Sequence, residues 1–129
     1  MQAKGTFTVQ LDPKESYNPG TDGNRLGRMT IDKTFEGDLK AISQGEMLSA
    51  RTPLQGSAGY VALEQVSGEL DGRSGSFVLQ HFGTMKNGKD YLKLEVVPDS
   101  GTGKLKGLSG SMSIEIDDGV HRYQFDYQF

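Results

Sequence analysis

Ser111-Met-Ser-Ile-Glu-Ile-Asp-Asp-Gly-Val-His-Arg-Tyr-Gln-Phe125 decides the fold. Apolar and polar residues alternate on both sides of Asp118-Gly119. Both of these central residues tolerate positive φ, so the pair favours a two-residue type I′ hairpin. Such a loop sets the pairing: Ile116 faces His121, Ile114 faces Tyr123 and Met112 faces Phe125. The opposite face pairs Glu115 with Arg122 and Ser113 with Gln124. One face is mainly apolar and the other polar, as in an antiparallel pair with one side buried.

Working outward, Asn87-Gly88 and Asp71-Gly72 give two more turns of this type. The first pairs Leu79 with Val96, His81 with Leu94 and Gly83 with Leu92. The second pairs Val66 with Phe77, Glu64 with Leu79 and Ala62 with His81. Both apolar faces are interrupted only by Glu64 and His81. A fourth hairpin is expected at Glu36-Gly37-Asp38, with Gly37 as the left-handed residue of a three-residue loop. It would pair Phe35 with Leu39, Lys33 with Ala41, Ile31 with Ser43 and Gly27 with Met47. Phe7, Val9 and Leu11 line one face of an opening strand. Pro13 to Asn24 reads as a long mobile loop, and Pro98 to Gly107 as a loop or single helical turn. The count is about eight strands, the number at which an antiparallel sheet closes into a barrel. The expected architecture is therefore an all-β, closed antiparallel barrel, one domain over residues 1–129.

Composition narrows the function classes. The 14 basic and 17 acidic residues are interspersed, and the formal net charge is only −3. No Lys/Arg run exists, so no nucleic-acid partner is expected. With 0 cysteines, disulfides, zinc ribbons and thiol nucleophiles are excluded. No apolar run approaches the roughly 20 residues of a membrane-spanning helix. The first residues hold no apolar signal core, so a soluble, cytoplasmic protein is the expectation. The 18 glycines fall between short alternating segments, where tight turns use them.

Several motifs dissolve on inspection. Around Gly103-Lys104 a phosphate loop would need Ser or Thr at Leu105, Gly at Pro98 and a following helix. Ser74 and Ser109 lie in Gly-x-Ser-Gly, without the strand-to-helix context of a nucleophile elbow. Asp117-Asp118-Gly119 lacks the further oxygen ligands of a calcium loop. Two histidines far apart, His81 and His121, suggest no metal site, and no cofactor is expected.

The informative residues are polar ones at inward positions. Glu64 and His81 are diagonal neighbours on the inner face, within reach of long side chains. A buried carboxylate next to an imidazole can act as a general acid–base pair, or simply satisfy itself inside the barrel. Lys33 alternates inward and is expected near a barrel mouth, its ammonium in water. The stripe Tyr123, Phe125, Tyr127, Phe129 reads as core or subunit interface. It makes a homo-oligomer, a dimer or trimer, the expectation.

Gly27-Arg-Met-Thr-Ile-Asp-Lys33, Ser43-Gln-Gly-Glu-Met-Leu-Ser49, Gly56-Ser-Ala-Gly-Tyr-Val-Ala62, Gly72-Arg-Ser-Gly-Ser-Phe-Val-Leu-Gln-His81 and Val97-Pro-Asp-Ser-Gly-Thr-Gly103 together resemble a bacterial family, domain-of-unknown-function family 3224. That family is similar in fold to allene oxide cyclase, an eight-stranded barrel that binds a fatty-acid-derived epoxide and guides its ring closure. The resemblance implies the barrel, and an apolar ligand inside it, rather than particular site residues.

Three functions follow as expectations. The first is a barrel binding a small, largely apolar molecule, with Glu64, His81, Tyr60, Ser43 and Lys33 as polar contacts and Met47 and Tyr123 beside them. The second is a cyclase or isomerase using Glu64 and His81 as acid and base. The third is a filled barrel that acts through its surface.

Overall fold

The computed structural model describes residues 1–129. Eight strands make up most of the chain: β1 (Gln2–Lys14), β2 (Arg25–Gly37), β3 (Leu39–Arg51), β4 (Ala58–Leu70), β5 (Arg73–Lys86), β6 (Lys89–Val96), β7 (Ser109–Asp117) and β8 (Val120–Gln128). Each pairs antiparallel with the next, and β8 closes the barrel on β1. Gln2 faces Asp126 and Phe7 faces His121 at this closure.

The three two-residue turns form as read. Asp71, Asn87 and Asp118 have φ of 48°, 52° and 50°, and each is followed by a glycine with φ near 80° (82°, 79° and 77°). All the pairings expected around them occur. Alternation then sends one side chain in two toward the barrel axis.

Two expectations are corrected. The β2–β3 hairpin is displaced by two residues: Phe35 faces Ala41 and Lys33 faces Ser43. The reason is a long-range hydrogen bond. The Leu39 N–H donates to the Tyr123 hydroxyl at 2.9 Å, and that hydroxyl donates to the Glu36 carbonyl at 2.8 Å. The turn is built around the Tyr123 oxygen, which no local reading could supply. A two-residue displacement keeps every side chain on its expected face. The second correction concerns Pro13, which belongs to β1 and faces Met29. Beyond Phe7, β1 has no β8 partner, so the missing N–H lies on an edge and costs no ladder bond.

The barrel's two ends differ. One end carries the β2–β3 and β4–β5 turns and the Val97–Leu108 connection. Here the inward residues Ala3, Leu39, Leu70, Phe77 and Phe125 are fully buried. The connection holds a 3-10 turn, Gly103–Leu105, that plugs this end with Leu105 and Leu108. Thr102 anchors it on β5: the Ser76 N–H donates to Thr102 Oγ1 at 3.1 Å. Burying each such leucine stabilises the fold by about 1.5–3 kcal/mol.

At the other end lie the β1–β2 and β3–β4 loops and the β5–β6 and β7–β8 turns. Inward-facing residues there are only partly covered: Leu11 is 47% exposed, Met85 38%, Leu92 37% and Ile116 68%. Val9, Met29, Met47, Tyr60 and Ile114 are half-buried. The seam between β6 and β7 is thin, with a single paired position, Glu95 with Ser111.

Tyr123, Phe125 and Tyr127 point inward and are buried, so these three of the aromatic stripe are core, while Phe129 is 47% exposed. Outward, Leu48, Val61 and Phe82 stand opposite one another across β3, β4 and β5 and are about half exposed. No helix is long and apolar enough to cross a membrane.

Candidate functional site

Between the two ends, four neighbouring strands contribute one polar layer: Lys33 from β2, Ser43 from β3, Glu64 from β4 and His81 from β5. Ladder register alone makes them neighbours, since Lys33 faces Ser43, Gly45 faces Glu64 and Ala62 faces His81. All four side chains are buried.

Glu64 is the hub. Its Oε1 accepts from Ser43 Oγ at 2.5 Å. Its Oε2 accepts from Lys33 Nζ at 3.2 Å and from His81 Nε2 at 2.7 Å. Burial pushes the Glu64 carboxyl up, but the His81 hydrogen bond, the Lys33 charge and the Ser43 hydrogen bond outweigh it. The net effect holds it below the usual carboxylate range. Glu64 is therefore ionised at neutral pH and can only accept, so His81 Nε2 must carry a hydrogen. Taking an ion pair out of water is costly unless its remaining hydrogen bonds are made, and here they are. Lys33 gains further from the Phe7 ring, whose centroid lies 4.8 Å from Nζ, and from Phe35 at 5.7 Å. The expectation that its ammonium reaches water at the mouth is thus corrected: Glu64 and the two rings draw it inward.

The other ring nitrogen of His81, Nδ1, makes no hydrogen bond within the protein; in the neutral imidazole with Nε2–H on Glu64 it carries the lone pair. No fully buried side-chain nitrogen or oxygen lacks a partner, so Nδ1 retains contact with solvent. Tyr60 stands beside it, with ring centroids 6.1 Å apart. Its hydroxyl has no protein partner either. Burial, and then the Glu64 charge, raise the Tyr60 pKa, so the phenol keeps its proton. Gly83 makes this placement possible, because a Cβ there would strike the Tyr60 ring.

The residues singled out from sequence separate into two places. Glu64, His81, Ser43 and Lys33 share the polar layer, with Tyr60 and Met47 above it on the open side. Tyr123 is elsewhere, its hydroxyl committed to the β2–β3 corner. Phe7, Phe35 and Gly83 were missed. The available signal was position: Gly83 is an inward glycine opposite Tyr60, and such a gap makes room for a ring. No group of three His, Cys, Asp or Glu side chains gathers to hold a metal ion.

An apolar groove of about 490 Å³ runs over the open rim. Tyr60, Ser49 and Gly83 form its inner wall, Leu48, Val61 and Phe82 its outer wall, and the fully exposed Tyr17 lines its edge. Its volume falls in the range of small-molecule sites, roughly 300–1,000 Å³.

A family model described as "Protein of unknown function (DUF3224)" matches residues 3–127. No match exists among curated proteins. A crystal structure of a DUF3224-family protein of unknown function from Shewanella oneidensis is 57% identical in sequence. The match covers 100% of this chain and 96% of that one, with a TM-score of 0.98.

Proposed function

The chain belongs to the DUF3224 family, and from the two unlike halves of its barrel we propose that it binds a small amphipathic molecule at the open end. The ligand's apolar body lies against Leu11, Met29, Met47, Leu92 and Ile114. Its polar head meets the His81 Nδ1 and the Tyr60 hydroxyl. One observation carries this reading: inward-facing apolar side chains are left partly uncovered at the end of the barrel where Tyr60 stands beside His81, whose Nδ1 has no hydrogen-bond partner in the protein. Apolar walls with few convergent polar groups are the usual composition of a small-molecule site.

The charges select the head group. Lys33 and Glu64 neutralise each other, and Nδ1 is an acceptor. The floor therefore favours a neutral head group over a carboxylate. The fold similarity to allene oxide cyclase that the family resemblance implies is in keeping with an apolar ligand.

The methionines provide the test. In protein carrying ¹³C-methyl methionine, titration with 1-octanol is expected to shift the Met29 and Met47 methyls saturably. Met112, buried toward the plugged end, is an internal control and should stay still. If Met29 and Met47 do not respond, or all methyls drift together without saturation, the binding reading is wrong.

A further inference from the structure

Resting on that binding reading, we propose that the same site is catalytic. The inferred activity is proton transfer at a carbon beside a carbonyl, enolising a small apolar ketone bound in the open half. His81 Nδ1 is the base and Tyr60 the hydrogen-bond donor.

Three parts are needed for such chemistry: a base aimed at the substrate, a group that orients the base, and a donor for the oxygen that becomes negative. Each is present, and neither the base nor the donor is hydrogen-bonded to another protein group. Nδ1 has no hydrogen-bond partner within the protein, and in the neutral imidazole it carries the lone pair. Glu64 Oε2, 2.7 Å from Nε2, orients the ring and stabilises the imidazolium that forms when Nδ1 takes a proton. The Tyr60 hydroxyl is free of protein partners, and its ring lies 6.1 Å from that of His81.

The alternatives within this cluster are closed off. Ser43 is no nucleophile for His81, because its hydroxyl donates to Glu64 at 2.5 Å rather than to Nδ1. Glu64 is no acid, because it is ionised and receives three donors. It is a positioning residue. What remains is a single base with a neutral donor, which suits carbon–hydrogen bond breaking and not acyl transfer.

The step balances without a co-reactant. The α C–H bond breaks and its proton goes to Nδ1. The electron pair forms the carbon–carbon double bond, and the carbonyl oxygen, now an enolate, accepts from the Tyr60 hydroxyl. Return of the proton to the same carbon regenerates the ketone. In an unsaturated ketone, return to a more distant carbon moves the double bond.

The probe is 4-phenylbutan-2-one in D₂O, with deuterium uptake beside the carbonyl followed by NMR. Exchange is expected to saturate with ketone and to run at least about 100-fold faster than with equimolar free imidazole, the lower end of general-base catalysis. His81→Gln should return it to the imidazole-free background. Tyr60→Phe changes a half-buried, unbonded hydroxyl, so it serves even if the His81 variant does not fold. It should lower the rate at least about tenfold with ketone binding retained. An unchanged rate in Tyr60→Phe overturns the assignment. If the ketone shifts the Met29 and Met47 methyls but exchange does not exceed free imidazole, catalysis falls while the binding reading stands. If the methyls do not respond to ketone or to 1-octanol, both fall.

Discussion

At the scale of single residues, Glu64 organises the interior because it is the only buried anion. Glu64→Gln leaves the Lys33 ammonium buried without its counter-charge. Removing one partner of a buried pair costs about 3–5 kcal/mol, so urea unfolding should show a loss of that order. The pH dependence has a defined sign. The Glu64 carboxyl is held low in the fold, so its contribution is present above the ordinary carboxylate range and is lost as pH falls through its folded value. Stability should drop on acidification below about pH 4, and Glu64→Gln should flatten that limb. Tyr127 acts at the other extreme. Burial, then its hydrogen bond to Asp71, raises it from 10.0 to about 12. Its contribution is complete below pH 10 and is lost as pH rises toward 12. Tyr127→Phe should therefore shrink the alkaline limb of a stability–pH curve, and an undiminished limb would deny Tyr127 that role. Glu64 and His81 were legible in sequence because each interrupts an apolar face whose register was already known. The inward pull on Lys33 was not, since it depends on Glu64 two strands away and on Phe7 from β1.

At the scale of elements, each Asx-Gly turn carries its register with it, and three hairpins follow from local chemistry alone. The β2–β3 corner shows the limit of that logic. Glu36-Gly37-Asp38 is a plausible loop, but the hydroxyl of Tyr123, on the last strand, relocates it by two residues. The loop after β1 shows the same limit: Pro13 looks like a strand end, yet it sits on an edge where proline is tolerated. Two expectations belong here. Gly83→Ala puts a methyl group where the Tyr60 ring lies. It should cost about 1–3 kcal/mol by overpacking and should alter the Tyr60 ring resonances with them. The β6–β7 seam holds only one paired position. Amide exchange should therefore be fastest over Lys89–Lys93 and Ile114–Asp117, and slowest in β3–β5, which are paired along both edges. Uniform protection around the barrel would contradict that.

At the scale of the molecule, the barrel is two structures in one. The half with the 3-10 plug is a packed apolar core in which Phe77 stacks on Phe125, ring centroids 5.9 Å apart. The other half points apolar side chains inward without covering them. Strand alternation revealed which residues point inward, but it could not distinguish the filled half from the open one. That difference arises from Leu105 and Leu108, supplied by a connection whose path is not encoded in periodicity. The polar layer lies between the halves, and His81 Nδ1 within it has no hydrogen-bond partner in the protein. The most direct measurement is a ¹⁵N-histidine NMR titration with 1-octanol. The expected result is an Nε2-protonated His81 whose bare Nδ1 shifts saturably as the alcohol donates to it, with the Nε2 proton retained. An Nδ1-protonated tautomer, or a His81 signal that does not move while His121 or neither ring responds, would contradict it.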